Sequence, residues 1–262
     1  MKTTFIALAG EIRKSLLTTW TYRMNTLAGL LTMSLIFVAI GFMMTNGSLD
    51  AQELAPTFLG FLTWMYAMMA IGNVAYGVRG EMSAGTLEQM VMSPAPLGMI
   101  LLGRVIANML VTTLQVLLVS IGMRLLVGIR APMNAAGVLV LLLTLLGILG
   151  FGFLIAGAVL IWKQVESLAN LIQNVLLFLN GSLLPVEQMP PWLSAISYLF
   201  PSTQGIIVLR RVALDGQSLA AVWQDGSLVW LLVHSTLFLL GGWIVFVICE
   251  RAAKKQGSLG QY

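Results

Sequence analysis

Charged residues divide this chain into long uncharged stretches. Met24–Leu49, Leu54–Val78 and Ala131–Trp162 contain no Asp, Glu, Lys or Arg. A helix crosses the ~30 Å hydrocarbon core of a membrane with about 20 mostly apolar residues, and one charge at its centre costs about 2.5–3.5 kcal/mol on insertion scales. The pattern therefore predicts an all-α integral membrane protein with six transmembrane helices. Their approximate ranges are 26–45, 57–78, 102–125, 137–161, 168–184 and 227–249.

The small number of charges excludes several classes of protein. The 262 residues include 14 Lys or Arg and 10 Asp or Glu, together 9% of the chain, whereas soluble domains carry roughly 25%. Apolar residues make up 58%, too many for a water-soluble fold to cover with so little polar surface. A soluble enzyme, a disordered chain and a nucleic-acid-binding domain are therefore not expected, and nucleic acid is not a predicted partner.

The first 23 residues have the pattern of a different kind of helix. Their apolar side chains recur at steps of three and four residues, which places them on one helical face, and Glu11, Lys14 and Thr18 fall on the other. This predicts an amphipathic helix over residues 1–23 that lies in the headgroup plane, without a cleavable signal peptide. It could be a simple anchor or a gating helix that contacts a cytoplasmic partner. The apolar residues are Phe5, Ala9, Ile12, Leu16 and Trp20.

One further uncharged run, Gln188–Leu209, is rich in proline. Pro190, Pro191 and Pro201 lie within it, and Pro185 precedes it. Proline interrupts helical hydrogen bonding, and unpaired backbone is costly in lipid unless protein or water satisfies it. Residues 185–215 are therefore predicted to form short, broken external helices that dip into the membrane from one side.

The distribution of Lys and Arg predicts the orientation, because cytoplasmic loops carry the excess. With both termini in the cytoplasm, ten basic residues lie on the cytoplasmic side and four outside. This assigns residues 24–250 to a transmembrane domain in the cell membrane and 251–262 to a cytoplasmic tail. The ten are Lys2, Arg13, Lys14, Arg23, Arg79, Arg104, Lys163, Arg251, Lys254 and Lys255, and the four are Arg124, Arg130, Arg210 and Arg211.

The segment between the second and third predicted spans, residues 80–93, is called the knob below. It is polar at its start, and its residues from Ser83 to Ser93 favour two to three helical turns before Pro94 and Pro96 end the helix. Three apolar side chains share one face, at Leu87, Met90 and Val91. The knob is either a rigid docking element on the cytoplasmic side or an ordinary solvated loop helix.

Polar residues inside the spans form a stripe. Glu166, Gln173 and Asn180 repeat every seven residues, and Asn170 and Asn174 lie near the same face. The stripe could line a substrate pathway or a subunit interface, or it could form hydrogen bonds between helices. Span two adds further candidates for the same lining, which could equally be ordinary membrane packing. They are Trp64, Met68 and Asn73, with Tyr66, Tyr76, Met65 and Met69 beside them.

Catalytic and cofactor-binding patterns are missing from the sequence. His234 is the only histidine and Cys249 the only cysteine, so a metal site or a disulfide is not expected. The chain has no G-x-x-x-x-G-K-[ST] loop to hold a nucleotide. It is therefore predicted to be no enzyme and to bind no cofactor itself, so energy for transport would come from a partner or from an ion gradient.

Two motifs resemble the membrane subunits of type-2 ABC exporters. Residues 79–89, running into Ser93 and Pro94, resemble that family's E-x-x-x-G-T-L-E-x-L-x-x-S-P segment. Downstream, residues 180–201 are similar to its L-S-G-x-x-x-P-x-x-x-M-P-x-W-L stretch, with Asn180 in place of the usual Ser. The resemblance covers nearly the whole chain and is most like the drug and antibiotic exporters.

The resemblance implies a specific mechanism. The knob would be a coupling helix that docks in a groove of a separate ATPase, and spans two and five would meet at a dimer centre. Two permeases, identical or paralogous, and two ATPases carrying ATP and Mg²⁺ would move an amphipathic, drug-like or lipid-like substrate out of a prokaryotic cell. The residues implied at the ATPase contact are Glu81, Gly85, Thr86, Leu87 and Glu88. From the residues alone, a gradient-driven transporter or channel remains the alternative.

The orientation can be tested by labelling single cysteines in a Cys249→Ser background. Cysteines placed at Gly47 and Gln217 should react with an impermeant reagent added outside the cell, because both loops are predicted to be external. Labelling of either one from the cytoplasm alone would overturn the six-span topology.

Overall fold

The computed structural model describes residues 2–93, 96–129, 134–162 and 166–256, which are helical or in turns and bends, without a strand among them. Pro94, Arg130, Lys163 and the side chains of Phe5, Glu88 and Glu166 lie outside the described residues. The helices are α1 Lys2–Thr21, α2 Arg23–Met44, α3 Ala51–Ser83, α4 Leu87–Val91, α5 Leu97–Leu126, α6 Ala135–Ile161, α7 Glu166–Leu179, α8 Pro191–Ser197, α9 Pro201–Ala213, α10 Leu219–Gln224 and α11 Ser227–Gln256, with a 3₁₀ turn at Val186–Gln188.

Five of these helices are long and apolar enough to cross a membrane. They are α2, α3, α5, α6 and α11, and the pair α8 and α9 could form a sixth, bent crossing. The charge pattern correctly predicted an all-helical protein with about this number of apolar segments. The fold is that of a multi-pass integral membrane protein.

The fifth predicted span, 168–184, differs from the structure. Helix α7 has 14 residues, which corresponds to about 21 Å and is too short for the hydrocarbon core by itself. The helix ends because Gly181 adopts φ +79° and the side chain of Asn180 accepts a hydrogen bond from the Ser182 backbone N–H at 3.0 Å. The prediction of a continuous span was wrong, since it counted apolar length and overlooked this local turn.

The proline-rich region does form short helices, as predicted. Helices α8 and α9 meet at 97°, and α9 is largely buried, including the polar side chains of Ser202, Thr203 and Gln204. Arg210 near its end donates to the carbonyl oxygens of Pro56 at 2.9 Å and Ser182 at 3.1 Å. Helix α9 is therefore inserted among the longer helices instead of lying on their surface.

Helix α1 turns part of its polar face towards the protein. The hydroxyl of Ser15 donates to Asn108 on α5 at 2.8 Å, and Glu11 reaches Arg104 on the same helix. Leu16 and Trp20 of the predicted apolar face remain exposed. Glu11, which the helical pattern placed on the polar face, therefore lies against α5, where Arg104 is its basic partner.

At the opposite end of the molecule, a second charged group closes the turn between α10 and α11. Arg211 pairs with Asp225 and donates to the Ser227 hydroxyl at 2.7 Å. Hydrogen bonds from the backbone of Ser227, and then from Arg211, lower the pKa of Asp225 to about 2. Arg210 contacts Pro56 at one end of α3 and Arg104 contacts Glu81 at the other, so Arg211 and Arg104 lie at opposite ends of the helices.

Helices α6 and α11 pack through glycines. A Cβ atom built on Gly242 would lie 2.0 Å from the carbonyl oxygen of Gly150, and one on Gly150 would lie 2.3 Å from the backbone of Phe238. Small residues allow such close approach, which is a usual basis of helix association in membranes. The backbones of α6 and α11 are therefore in direct contact.

The close approach predicts a position-specific effect on stability. Gly242→Val should lower the free energy of unfolding by about 1–3 kcal/mol because the backbone of α6 would have to move. Gly241→Val is the matched control, since a Cβ atom at Gly241 meets nothing within 4 Å. Thermal unfolding of both variants in detergent would measure this, and equal losses would contradict the packing argument.

Candidate functional site

The turn that begins the knob is fixed by backbone geometry. Helix α3 ends in a paired set of hydrogen bonds, from Gly85 N–H to Met82 O at 3.0 Å and from Thr86 N–H to Glu81 O at 2.9 Å. This is the Schellman arrangement, which places the residue after the C-cap in the left-handed region. Gly85 has φ +67°, so glycine is favoured here by the turn itself.

The helix of the knob is shorter than predicted. Helix α4 has five residues, about one and a half turns, because Arg79–Ser83 continue α3 and residues 84–86 form the turn. The predicted apolar face is confirmed: Leu87 is 1% exposed, and Met90 and Val91 are partly buried against the same core. The knob is therefore held on the helical bundle by its own side chains.

A charged cluster links the knob to two other helices. Arg104 on α5 donates to Glu81 at the end of α3 at 2.8 Å and reaches Glu11 on α1 at 3.5 Å. The Thr86 hydroxyl, in the turn before α4, donates to the Glu81 carboxylate. The three charged side chains are 14–22% exposed, so their attraction is less screened than at an open surface. One guanidinium thus connects α1, α3, α5 and the knob.

The residues implied at the ATPase contact occupy different positions. Glu81 and Thr86 face inward to the charged cluster, and Leu87 is in the core, whereas Gly85 is exposed with nothing within 4 Å of its Cβ position. Glu88 has its side chain outside the described residues. Among the described side chains of the knob, the exposed ones belong to small or uncharged residues. They are Gly80, Ser83, Ala84, Gly85, Gln89 and Met92.

Sequence reasoning missed the role of Arg104 and Glu11. It used Arg104 as one of ten cytoplasmic charges. A signal was present, because Arg104 lies inside the predicted span 102–125, and a charge within a span usually has a partner in the protein. Glu11 lies on another helix, so no helical periodicity in the sequence links it to Arg104.

The predicted polar stripe converges with span two on a cavity of about 460 Å³. The indole N–H of Trp64 donates to the backbone oxygen of Gln173 at 2.8 Å, and the Tyr76 hydroxyl donates to Asn170. Met68, Asn73 and Gln173 line the cavity. The side-chain nitrogens of Asn73 and Gln173 are buried without a hydrogen-bond partner, so this wall has spare donors for a ligand or water.

Two members of the predicted stripe lie elsewhere. Asn180 is fully buried and donates to the hydroxyl of Ser202 at 3.4 Å, and it accepts from Ser182. It stabilises the turn after α7 and does not line the cavity. Asn174 is exposed on α7 one turn after Asn170 and is not among the residues that line the cavity.

The structure offers no candidate metal centre among the described residues, since no three His, Cys, Asp or Glu side chains are grouped there. His234 instead stacks on Trp230, with ring centroids 5.6 Å apart, and meets Phe238 edge-on. Its position is that of a packed aromatic side chain within α11.

Comparison with known proteins identifies the family. Residues 10–214 match the family model for the ABC-2 type transporter. The chain belongs to this family. The match includes the knob, the charged cluster and the α7–α9 region, so the ABC-2 resemblance of the two motifs is confirmed over most of the chain.

Two curated relatives of this ABC-2 protein are described as a probable multidrug ABC transporter permease, YbhR, from Escherichia coli K12 and from Escherichia coli O157:H7. Each is 27% identical over 187 residues, which cover 69% of this chain and 49% of the relative. The chain spans about half the length of the curated relatives it matches. The family and the apolar helices together make this protein a multi-pass membrane protein of the transporter class.

The charged cluster predicts an unequal response to mutation. Arg104→Gln should lower the free energy of unfolding by about 1–3 kcal/mol, because it leaves two adjacent carboxylates without their cation. Combining it with Glu81→Gln and Glu11→Gln should recover most of that loss, since no uncompensated charge remains.

Thermal unfolding of these variants, compared with Arg124→Gln at the other end of α5, would provide the measurement. If Arg124→Gln and Arg104→Gln lowered the free energy of unfolding equally, the charged cluster would contribute no more to stability than an exposed arginine does.

Proposed function

We propose that this chain is the membrane-spanning permease subunit of an ABC exporter. A separate cytoplasmic ATPase would bind ATP and Mg²⁺, dock against the knob and drive the permease between inward- and outward-facing states. The observation that carries the proposal is the short helix α4, which the Schellman turn and the charged cluster hold in one orientation at the end of α3. A solvated loop would not need this support.

The exposed surface of the knob suits docking against a protein groove. Ser83, Ala84 and Gly85 are small and allow close approach of a partner backbone. Met92 is 77% exposed, and its flexible side chain suits an apolar pocket on a partner. Glu81 and Thr86, which the family resemblance implied at this contact, would act instead by fixing the orientation of α4.

The charged cluster would transmit the movement of α4. A force on α4 acts on α3 through the turn at Gly85 and on α5 and α1 through Arg104. Packed side chains move between discrete arrangements and do not deform continuously. A displaced α4 would therefore shift α3, α5 and α1 as units. In this way ATP hydrolysis on the partner would be coupled to movement of the permease without a catalytic group in the permease itself.

The substrate would pass along the surface shared by α3 and α7. Tyr76, Asn170 and Asn174 are exposed there beside apolar Leu171 and Phe178, and polar side chains at membrane depth usually face protein or water. A second permease copy, identical or paralogous, would cover this surface and join two of the 460 Å³ cavities into one pathway. The methionine and aromatic side chains that line the cavity suit amphipathic, drug-like or lipid-like molecules.

Orientation and stoichiometry complete the proposal. The knob and both termini would be cytoplasmic, in the inner or plasma membrane of a prokaryote, and two permeases would work with two ATPases. Export is the direction implied by the resemblance to the drug exporters. The chain itself would bind no cofactor.

Docking of the ATPase can be tested with a bulky residue on the exposed knob. Ala84→Trp should reduce copurification of the ATPase, or uncouple its ATP hydrolysis from transport in vesicles, by at least about tenfold. Ala84 is preferable to Gly85 because its backbone is right-handed, with φ −83°, whereas tryptophan at Gly85 would strain the turn even without a partner.

Gln52→Trp is the matched control, exposed at the other end of the same helix. It should leave copurification and coupling unchanged. Wild-type behaviour of Ala84→Trp would remove the main support for the permease proposal.

A further inference from the structure

A second pocket opens between α1 and α2 on one side and α3 and α5 on the other, and is called the lateral pocket below. Its volume is about 620 Å³, enough for a lipid headgroup and part of a chain. It shares Met68, Met69, Asn73 and Arg104 with the 460 Å³ cavity beside α7 and extends from there between α1 and α2. The proposed substrate pathway does not account for the part between α1 and α2.

The lateral pocket exists because the first half of α2 packs only loosely against α3 and α5. Along α2, the only buried residues are Phe37, which contacts Phe58 and Phe61 with ring centroids 5.1 Å apart, and Gly41, which faces Leu54. None of the residues of α2 before Phe37 is buried. In this half of α2, Leu30 and Met33 are only partly buried against the core, so the end of α2 nearest the knob packs loosely.

The lining changes from polar to apolar along the pocket. Asn73 and Asn108 lie near the charged cluster, and Leu30, Met33 and Met65 lie further from it, with Gln115 as the polar residue of the far end. From Arg104 to Gln115, the two ends of the lining on α5, the helix rises about 16 Å. The side-chain nitrogen of Asn73 is buried without a partner, so a hydrogen-bond donor is available at the polar end.

The rim at the polar end is basic. Arg13 and Lys14 are exposed on α1, and Lys14 lines the pocket beside Glu11. Arg104 is paired with Glu81 and Glu11, so the positive charge that remains for a ligand at this end, among the described side chains, lies on Arg13 and Lys14. A phosphate group at this rim would gain attraction from both side chains.

We infer that the lateral pocket binds an anionic phospholipid of the leaflet on the knob side, with its phosphate at the Arg13–Lys14 rim and its chain along α2 towards Met33. The lipid would fill the space that α2 leaves and join α1 and α2 to α3 and α5. Because Arg104 lines the same pocket, lipid occupancy would stabilise the arrangement of the charged cluster. The inference does not depend on the ABC exporter proposal.

The test uses the full chain purified in detergent, with any subunits that copurify, and phosphatidylglycerol or phosphatidylcholine added at equal concentrations. Native mass spectrometry measures retained lipid, and thermal unfolding measures its effect. Wild-type protein should retain phosphatidylglycerol preferentially and unfold at a higher temperature with it.

Two variants address the rim and the interior separately. Arg13→Gln with Lys14→Gln should weaken phosphatidylglycerol binding about ten- to thirty-fold. Gly29→Leu should abolish binding by occupying the pocket, since a Cβ atom at Gly29 meets nothing within 4 Å and Gly29 lies in the lining.

Each variant has a matched control. Lys254→Gln with Lys255→Gln removes two basic residues from the C-terminal end of α11, and Gly122→Leu fills open space on α5 outside the pocket. Both controls should bind phosphatidylglycerol like wild type.

Four outcomes would overturn the inference. The first is equal binding of the two lipids by wild type, and the second is loss of binding in the controls as well. The third is normal binding by Gly29→Leu, which would restrict the contact to the outer surface of α1. The fourth is an equal thermal shift with soluble glycerol 3-phosphate or with a cationic drug-like amphiphile, which would assign the pocket to free phosphate or to cargo.

Discussion

Lipid supplies no hydrogen-bonding partner to a polypeptide backbone, and this constraint governs the region where the helices are interrupted. After α7 ends at Leu179, the chain runs against α3, where the Ser182 hydroxyl donates to the backbone oxygen of Gly60 at 3.0 Å. A Cβ atom at Gly60 would lie 2.5 Å from the Ser182 oxygen, so the contact depends on glycine. Arg210 then satisfies that oxygen from α9. The broken segment is tolerated because neighbouring helices replace the missing bonds.

The same contacts divide the molecule into a tightly packed and a loosely packed side. Helices α6, α9 and α11 meet through glycines and buried polar side chains, whereas α2 is buried only at Phe37 and Gly41. Segments with few buried contacts open at lower free energy than a packed core. Movement is therefore expected where α1, α2 and the knob join α5, and the α6–α11 pair provides the fixed reference for it.

The sequence predicted those features that depend on local pattern and on the solvent. Uncharged stretches located five long helices, prolines located the broken region, and the spacing of Leu87, Met90 and Val91 predicted the buried face of the knob. The end of α7 at Asn180 was overlooked, although Asn180-Gly181 is a turn signal in the sequence, because the span was assigned from the absence of charges. The pattern also did not predict that the side chains of Glu11 and Glu81 point inward. An amphipathic pattern assumes that polar residues face water, whereas both acids pair with Arg104 on another helix. Arg104 is 93 residues from Glu11 and 23 residues from Glu81 along the chain.

Arg104 links the knob to α1. Its Nη2 donates to Glu81 at 2.8 Å while its Nε lies 3.5 Å from Glu11, so the two acids contact different nitrogens of one guanidinium and are held at the same time. The donors of a guanidinium have a fixed planar geometry, so the positions of the two carboxylates are linked through it. A shift of the end of α3 that carries Glu81 is therefore expected to move Arg104 and, with it, Glu11 on α1. Displacement of the knob is in this way passed to α5 and α1 together, through a single side chain.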